Sequence, residues 1–491
     1  MPNAHFRPRY HYTPTRNFMN DPNGLVYANG MFHLFHQYNP FADVWGHMAW
    51  NHATSEDLIH WTEHGPKLIE EDGVAMFSGS AIVDEGNTSG LGPAGSSPLV
   101  AMYTGHQNGD AFEAPCVAHS DDGGLTWQKH AGNPVLPWES DFRDPKVFRH
   151  GDQWIMVIVK AMEHHVRIYT SRNLTDWTLS ATFGPEGIPA DNITNWECPD
   201  LIELPVENEP GAFRWVLHIG HGDGHVTGGS GSQYFVGTFD GKSFTNDNSP
   251  ETILFADYGP DNYAAITWNG ICTDDGGKYY TGWMSNWKYA NTVPTMGWRN
   301  GLTIPRVLTL RNTESGYRLV QRPASQLDAL RGDEVNLGQR VVNGDTDNDI
   351  SDVIRGQQFE LNVTITAGNA REFGIDVLCG AESRVRIGYD VAAKELFVDR
   401  SAAGECGFYD GFAARHRAPL ISVNGQISLR IYIDVASVEV FAADGLLVMT
   451  QLVFPPKGAD GIRLFATGGS AYLVSLRAWP LADAPVVMNV E

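Results

Sequence analysis

Five aromatic-rich apolar runs recur along the first two-thirds of the chain. They are MFHLFHQY from Met31, PLVAMYTGH from Pro98, QWIMVIVKAM from Gln153, RWVLHIGHG from Arg214 and KYYTGWMSNW from Lys278. A second, shorter run with a polar opening precedes each one: NDPNGLVY, FSGSAIV, FRDPKVF, ECPDLIEL and NYAAITW. A third echo follows most of them, in SEDLIHW ending at Trp61, SDDGGLTW at Trp127 and SRNLTDW at Trp177, with a fainter FDGKSF at Phe244. A unit of roughly 60 residues built from short strands cannot bury both faces of its sheet alone, so such units stack on their neighbours. Radial stacking of short antiparallel sheets is a β-propeller, and five units imply five blades. A β-sandwich or β-helix with accidental internal similarity is the competing reading.

Near residue 320 the pattern changes. RPASQLDALRGDE, Arg322 to Glu334, reads as a linker with one short helix, and an acidic Gly/Asn/Asp stretch follows to Asp352. Beyond it, Phe359, Leu361, Val363 and Ile365 alternate onto one face, as do Leu429, Ile431 and Ile433, and SVEVFAADGLLVMTQLVF reads as a hairpin turning at Asp444-Gly445. The expected organisation is all-β: a propeller over 1–321, a linker over 322–334 and a β-sandwich over 335–491.

Charge and cysteine usage exclude several function classes. The formal net charge of −24 repels phosphate backbones and anionic membrane surfaces, so nucleic acid and membrane are not expected partners. No apolar run approaches the roughly 18 residues that span a bilayer. Five scattered cysteines form neither a disulfide framework nor a paired metal-knuckle pattern. MPNAHFRPRYHYTP has no apolar stretch of the kind a secretory signal contains. That leaves a mature exported chain carrying an added Met, or a cytoplasmic protein that starts naturally at Met1.

In a propeller the innermost strands line the central channel, so the polar openings of the second set of runs converge on one funnel. Blade 1 supplies Asp21, blade 3 Asp144 and blade 4 Glu197, while blades 2 and 5 supply Ser78 and Tyr263. Crowded carboxylates push at least one pKa upward, leaving one group able to donate a proton and another ionised, the pairing that glycoside hydrolysis requires. Asp21-Pro22 and Asp144-Pro145 are also ordinary turn signatures, so it is the coincidence of all three acids that carries the reading. Two or three of Trp45, Trp50, Trp283, Trp287 and Trp298 are expected in the pocket, because aromatic rings pack on sugar C–H faces. Asn20, Gln37, Ser78, Arg143 and Asp257 are candidate hydroxyl-binding groups. Period-2 alternation points Cys198 away from the channel. The His221/His225 pair and the DTDND run from Asp345 read as solvated loops, and no metal site is expected.

NFMNDPNG (Asn17 to Gly24), FRDP (Phe142 to Pro145) and WECPD (Trp196 to Asp200) resemble the three signature blocks of glycoside hydrolase family 32, the β-fructofuranosidases, fructanases and fructosyltransferases. The similarity extends through FHQYNP, FSGS, DYGPDNYAA, GWMSNWKYAN, TIPR and SVEVFAADG, and is strongest toward bacterial levanases and exo-fructanases. The resemblance implies a five-bladed propeller joined to a sandwich and no metal or organic cofactor. It implies Asp21 as nucleophile, Asp144 as transition-state stabiliser and Glu197 as general acid/base, with Arg143, Gln37, Asn20, Ser78 and Trp45 at substrate-binding positions. Two departures stand out: AWNHA, with Asn51 in place of Gly, and DNYA, with Asn262 in place of an aromatic residue. Both are expected at the pocket rim, with Trp298 as a further substrate contact. An amide there is expected to orient a sugar hydroxyl and give substantial transfer beside hydrolysis.

The expected activity is therefore retaining transfer of β-fructofuranosyl units from fructans, levan preferred and sucrose-type ends included, to water or to a sugar. The alternatives are a cytoplasmic sucrose or inulin β-fructofuranosidase and a non-catalytic fructan-binding propeller. Polymeric substrates do not cross membranes, so export of the mature chain is the expectation.

Overall fold

The computed structural model describes residues 4–107, 112–344, 346 and 348–489. It is a five-bladed β-propeller followed by a β-sandwich. The inner strands of the blades are Asn17–Ala28, Val74–Val83, Phe142–His150, Trp196–Pro205 and Tyr263–Thr267. Each touches the next, and the fifth touches the first, closing the ring. Within a blade the chain meanders outward through antiparallel neighbours, as in Phe142–His150, Gln153–Lys160, His165–Ser171 and Thr178–Phe183.

Every inner strand breaks its register at the same place. The pairing skips between Met19 and Pro22, Phe77 and Gly79, Arg143 and Lys146, Glu197 and Asp200, and Tyr263 and Ile266. Proline lacks the N–H a ladder needs and is tolerated in strands at bulges, which accounts for Pro22, Pro145 and Pro199. Asp144, Cys198 and Ala264 adopt positive φ there (63°, 48° and 50°). In blade 2 the equivalent of the proline is Gly79, where a Cβ would lie 2.1 Å from the Met102 carbonyl oxygen.

The Trp-terminated echoes are turns that close blades 1 to 3. Asp57 Oδ1 accepts from the N–H groups of Ile59 and His60, Asp122 Oδ1 from those of Leu125 and Thr126, and Asn173 Oδ1 from those of Thr175 and Asp176. Trp61, Trp127 and Trp177 then each donate Nε1–H to a carbonyl three residues back, at 3.0, 3.0 and 2.9 Å. Asp240 repeats the pattern in blade 4, accepting from Lys242 and Ser243. A short polar side chain that satisfies successive amides is what makes these residues turn formers.

A six-residue 3₁₀ helix, Ser325–Leu330, leads into the sandwich. One of its sheets is built around Phe359–Thr366, Gln426–Asp434 and Ser470–Pro480, the other around Glu372–Cys379, Val385–Asp390 and Gly461–Thr467. Phe359, Leu361, Val363, Ile365, Leu429, Ile431 and Ile433 all point into the core between the sheets. The hairpin turns through Ala443 and Asp444, both at positive φ, as a tight turn between right-twisted strands requires.

The propeller and sandwich are joined by buried ion pairs. His11 lies 2.8 Å from Asp434 Oδ2 and 2.9 Å from Glu439 Oε1; Arg306, which also meets Asp257 within the propeller at 3.2 Å, pairs with Glu439 at 2.5 Å; Arg400 pairs with Asp261 at 2.7 Å. The chain also returns after the sandwich, where Val487–Met488 pairs in parallel with Thr62 and Glu63 of blade 1.

Candidate active site

The common bulge sorts the funnel residues into two tiers. The deeper tier holds Asp21, Ser78, Asp144, Cys198 and Ala264; the residues just before them, Asn20, Phe77, Arg143, Glu197 and Tyr263, form the outer one. The expectation that Asp21, Asp144 and Glu197 occupy equivalent repeat positions is corrected by one residue: Glu197 is the counterpart of Arg143, and Cys198 is the counterpart of the two aspartates.

Cys198 is accordingly a correction as well. Instead of pointing away from the channel, its Sγ lies 3.6 Å from both Asp21 Oδ2 and Asp144 Oδ2. The bulge and positive φ rotate the side chain off the period-2 alternation. Burial, followed by the neighbouring Asp144 and Asp21 charges, pushes the thiol pKa well up, so it stays a neutral donor between two carboxylates.

Asp21 is almost fully buried. Its Oδ2 accepts from Ser78 Oγ at 2.7 Å and its Oδ1 from Asn20 Nδ2 at 3.1 Å. Burial, with Glu197 nearby, nonetheless lifts its pKa to about 6, against the lowering effect of those bonds. Asp144 accepts the Cys198 N–H at 2.9 Å, and its own N–H is fixed by Thr104 Oγ1 at 2.8 Å. Burial raises its pKa too, only partly offset by Arg143.

Glu197 is the most accessible of the three acids, with 21% of its side chain exposed. Arg143 donates to its Oε1 from Nε at 3.2 Å and Nη2 at 3.0 Å, and the Tyr263 hydroxyl donates a short bond to Oε2. Arg143 is anchored from behind by Glu113 at 3.1 Å, which also meets His106 at 3.2 Å. Sequence reasoning missed Glu113 and His106: they lie on the middle strands of blade 2, and no local motif marks a partner reached across blades. Tyr263 was visible as the opening of blade 5, but not its bond to Glu197.

The tryptophans divide cleanly. Trp45 is 46% exposed, held by its N–H to Asn291 Oδ1 at 2.8 Å and edge-on to Phe77. Trp287 is half-buried, its ring 4.7 Å from that of Trp283 beside Cys198 and Tyr263. Trp50 and Trp283 are core residues. Trp298 is corrected from a substrate contact: it is buried beneath the Arg7 guanidinium, 4.4 Å from its ring centroid.

Three polar expectations are corrected by burial. Asn51 and Asn262 are not at a rim. Asn51 is 0% exposed and donates to His36 Nε2 at 3.1 Å, while Asn262 is 2% exposed and faces Asp257 at 3.4 Å. Asp257 accepts from Arg306, the Thr450 amide and the Thr450 hydroxyl, so it ties the propeller to the sandwich rather than meeting substrate. Asn51 lies on the third strand of blade 1, Ala49–Ser55, and Asp257 and Asn262 lie in the segment that leads into the inner strand of blade 5, with their side chains buried. Gln37 is buried with Nε2 2.9 Å from the Asn23 carboxamide. His221 and His225 are buried and stacked at 5.8 Å, not solvated; of the DTDND run, Asp345 and Asp347 lie outside the described residues.

Residues 11–323 match the Glycosyl hydrolases family 32 N-terminal domain, and residues 326–480 the Glycosyl hydrolases family 32 C terminal. The chain belongs to glycosyl hydrolase family 32. It is thus a glycoside hydrolase, as the motif resemblance implied. This family 32 chain is 44% identical over 485 residues to the levanase of Bacillus subtilis (strain 168), covering 97% of this chain and 70% of that one. It is 38% identical to the extracellular exo-inulinase of Aspergillus awamori over 97% of this chain and 95% of that one. The crystal structure of the Aspergillus awamori exo-inulinase superposes with a TM-score of 0.90 at 35% identity, over 98% of this chain and 99% of that one. A β-fructofuranosidase from Schwanniomyces occidentalis complexed with fructosyl-erythritol superposes with a TM-score of 0.87 at 32% identity, over 97% of this chain and 98% of that one.

Proposed function

We propose that this family 32 enzyme releases terminal β-fructofuranosyl units from fructans, levan preferred and sucrose-type ends included, by a retaining double displacement within a catalytic propeller spanning 1–321. The observation that carries the reading is the two-tier arrangement: a buried, hydrogen-bonded Asp21 below an accessible Glu197 held by Arg143 and Tyr263. Asp21 attacks the anomeric C2 while Glu197 protonates the departing glycosidic oxygen. Glu197, now a carboxylate stabilised by Arg143 and Tyr263, takes a proton from water as the water attacks C2 and Asp21 departs. Asp144, buried beside Arg143 and bonded to the Cys198 N–H, is suited to exchanging hydrogen bonds with fructosyl hydroxyls. Levan is favoured because a levanase is 44% identical to this chain. Action outside the cell fits polymeric substrates and the relatives named as extracellular.

Water is the proposed acceptor. The case for sugar acceptors rested on Asn51 and Asn262, and both amides are buried away from the funnel. Run in aqueous methanol, the reaction is expected to give methyl β-fructofuranoside as the first methyl glycoside seen by NMR; initial α-fructoside refutes the retaining mechanism. Assays on levan, inulin and sucrose in parallel are expected to give fructose as the main product, with oligosaccharide synthesis minor. The Asn51→Gly and Asn262→Phe changes are expected to leave that product ratio unaltered.

The Ser78 bond has a pH consequence. It favours the ionised form of Asp21, so Ser78→Ala raises the Asp21 pKa further. The acidic limb of the kcat/KM profile, which reports the free enzyme and is expected near pH 6, moves upward by about one unit. An unmoved limb dissociates Asp21 from that ionisation. Trp45→Ala, which removes the exposed ring beside Phe77, is expected to raise KM for levan about tenfold with little change in kcat.

A further inference from the structure

The propeller axis opens at both ends. A cavity of about 530 Å³ lies at the end opposite the carboxylates and is lined by all five blades. That is within the range of about 300–1,000 Å³ typical of ligand sites. The strands that carry the candidate active site also build this chamber. Lys146 follows Asp144 by two residues, and Asp200 follows Cys198 by two, so the inner strands of blades 3 and 4 each present one polar group to the front and another to the rear.

The rear chamber's chemistry is specific. Asp200 is 1% exposed. Its Oδ2 accepts from Lys146 Nζ at 3.2 Å and from the Thr267 amide and hydroxyl at 2.7 and 2.8 Å, while its Oδ1 is buried with no partner. A buried polar oxygen without a donor is costly, and a hydroxyl placed in the chamber would supply one. At the mouth the charges balance. Glu85 and Glu203 bring exposed carboxylates to the lining, and Arg149 and Lys278 bring cations. An anion would face three carboxylates, and a cation would face two basic rim groups and the Lys146 ammonium. A neutral polyhydroxyl compound meets neither penalty and finds acceptors and donors together. Trp154, Trp215 and Trp268 add aromatic edges to the walls.

We propose that this rear chamber is a second, non-catalytic carbohydrate site, taking a neutral mono- or disaccharide such as fructose or a fructan end. It is separate from the front funnel. Its ligand class rests on the balanced charge and the unpartnered Asp200 oxygen, not on the assignment of Asp21 and Glu197.

The test uses Asp21→Asn enzyme, which leaves the rear chamber unaltered, titrated calorimetrically with a levan-derived disaccharide. Two sites per chain are expected in that background, and one when Glu203→Ala and Lys278→Ala are added. In the wild-type background the same rim changes are expected to leave fructose release from sucrose within twofold. Lys278→Trp, which blocks the mouth, provides an independent variant with the same expected loss of one site. Crystals soaked in fructose are expected to show the sugar against Asp200. A single site in every background overturns the proposal, as does phosphate displacing the sugar from the chamber. Loss of binding at the front alone would instead count against the active-site reading.

Discussion

Asp21→Ala is expected to lower kcat/KM on levan and sucrose by at least about 10⁴-fold, the scale seen when a covalent nucleophile is removed. Stability should move the other way. Asp21 carries a folded pKa of about 6 against an ordinary value of 3.8, because burial and Glu197 disfavour its charge. A carboxyl group whose pKa is raised on folding destabilises the native state once it ionises, so its cost is absent below about pH 4 and complete above about pH 6. The shift corresponds to an upper bound of about 3 kcal/mol. Asp21→Asn should therefore be inactive and yet melt at a higher temperature than wild type at pH 7, with the difference vanishing toward pH 4. Thermal melts of both proteins across that range decide it: an inactive variant that melts lower at pH 7 shows that Asp21 supports the fold rather than being strained for chemistry.

His11→Ala is expected to cost about 3–5 kcal/mol, because it leaves Asp434 and Glu439 buried without their shared cation. Burial alone would lower the His11 pKa, but its hydrogen bonds and charge pairing with Asp434 and Glu439 outweigh that and raise it to about 9, from an ordinary value of 6.5. A histidine whose pKa rises on folding stabilises fully below about pH 6.5 and loses that contribution as pH climbs through about 9. The shift amounts to about 3 kcal/mol. Urea unfolding should show wild type weakening between pH 6.5 and 9.5 and His11→Ala staying comparatively flat over the same window. Parallel decline in both would assign the pH dependence to other groups. The clamp matters beyond stability, since Glu439 also accepts from the Ile304 amide and Arg306, where the chain enters Arg306–Thr313, the third strand of blade 5.

Much of the architecture was legible along the chain. Blade number came from the recurrence of aromatic runs and Trp-ended turns, and those turns depend on contacts within seven residues, so local order suffices to reveal them. The sandwich strands were visible because period-2 alternation is a local property too. The three acids were legible for a similar reason: each opens an inner strand, and a propeller has only one axis on which inner strands converge.

What the tertiary structure alone decided was parity, depth and partnership. A bulge adds a residue to one strand without changing its sequence pattern, which turned Cys198 inward between Asp21 and Asp144 and set Glu197 one tier above them. Depth separated Asn51, Asn262, Asp257 and Trp298 from the funnel, because a residue beside a motif in sequence can still lie behind the sheet in space. Partnership joined Glu113 to Arg143 and His11 to Glu439, pairs 30 and 428 residues apart. Local patterning specifies which elements form, but electrostatic partners and the two mouths of the axis exist only once separate blades close into a ring, and no single stretch of sequence contains that closure.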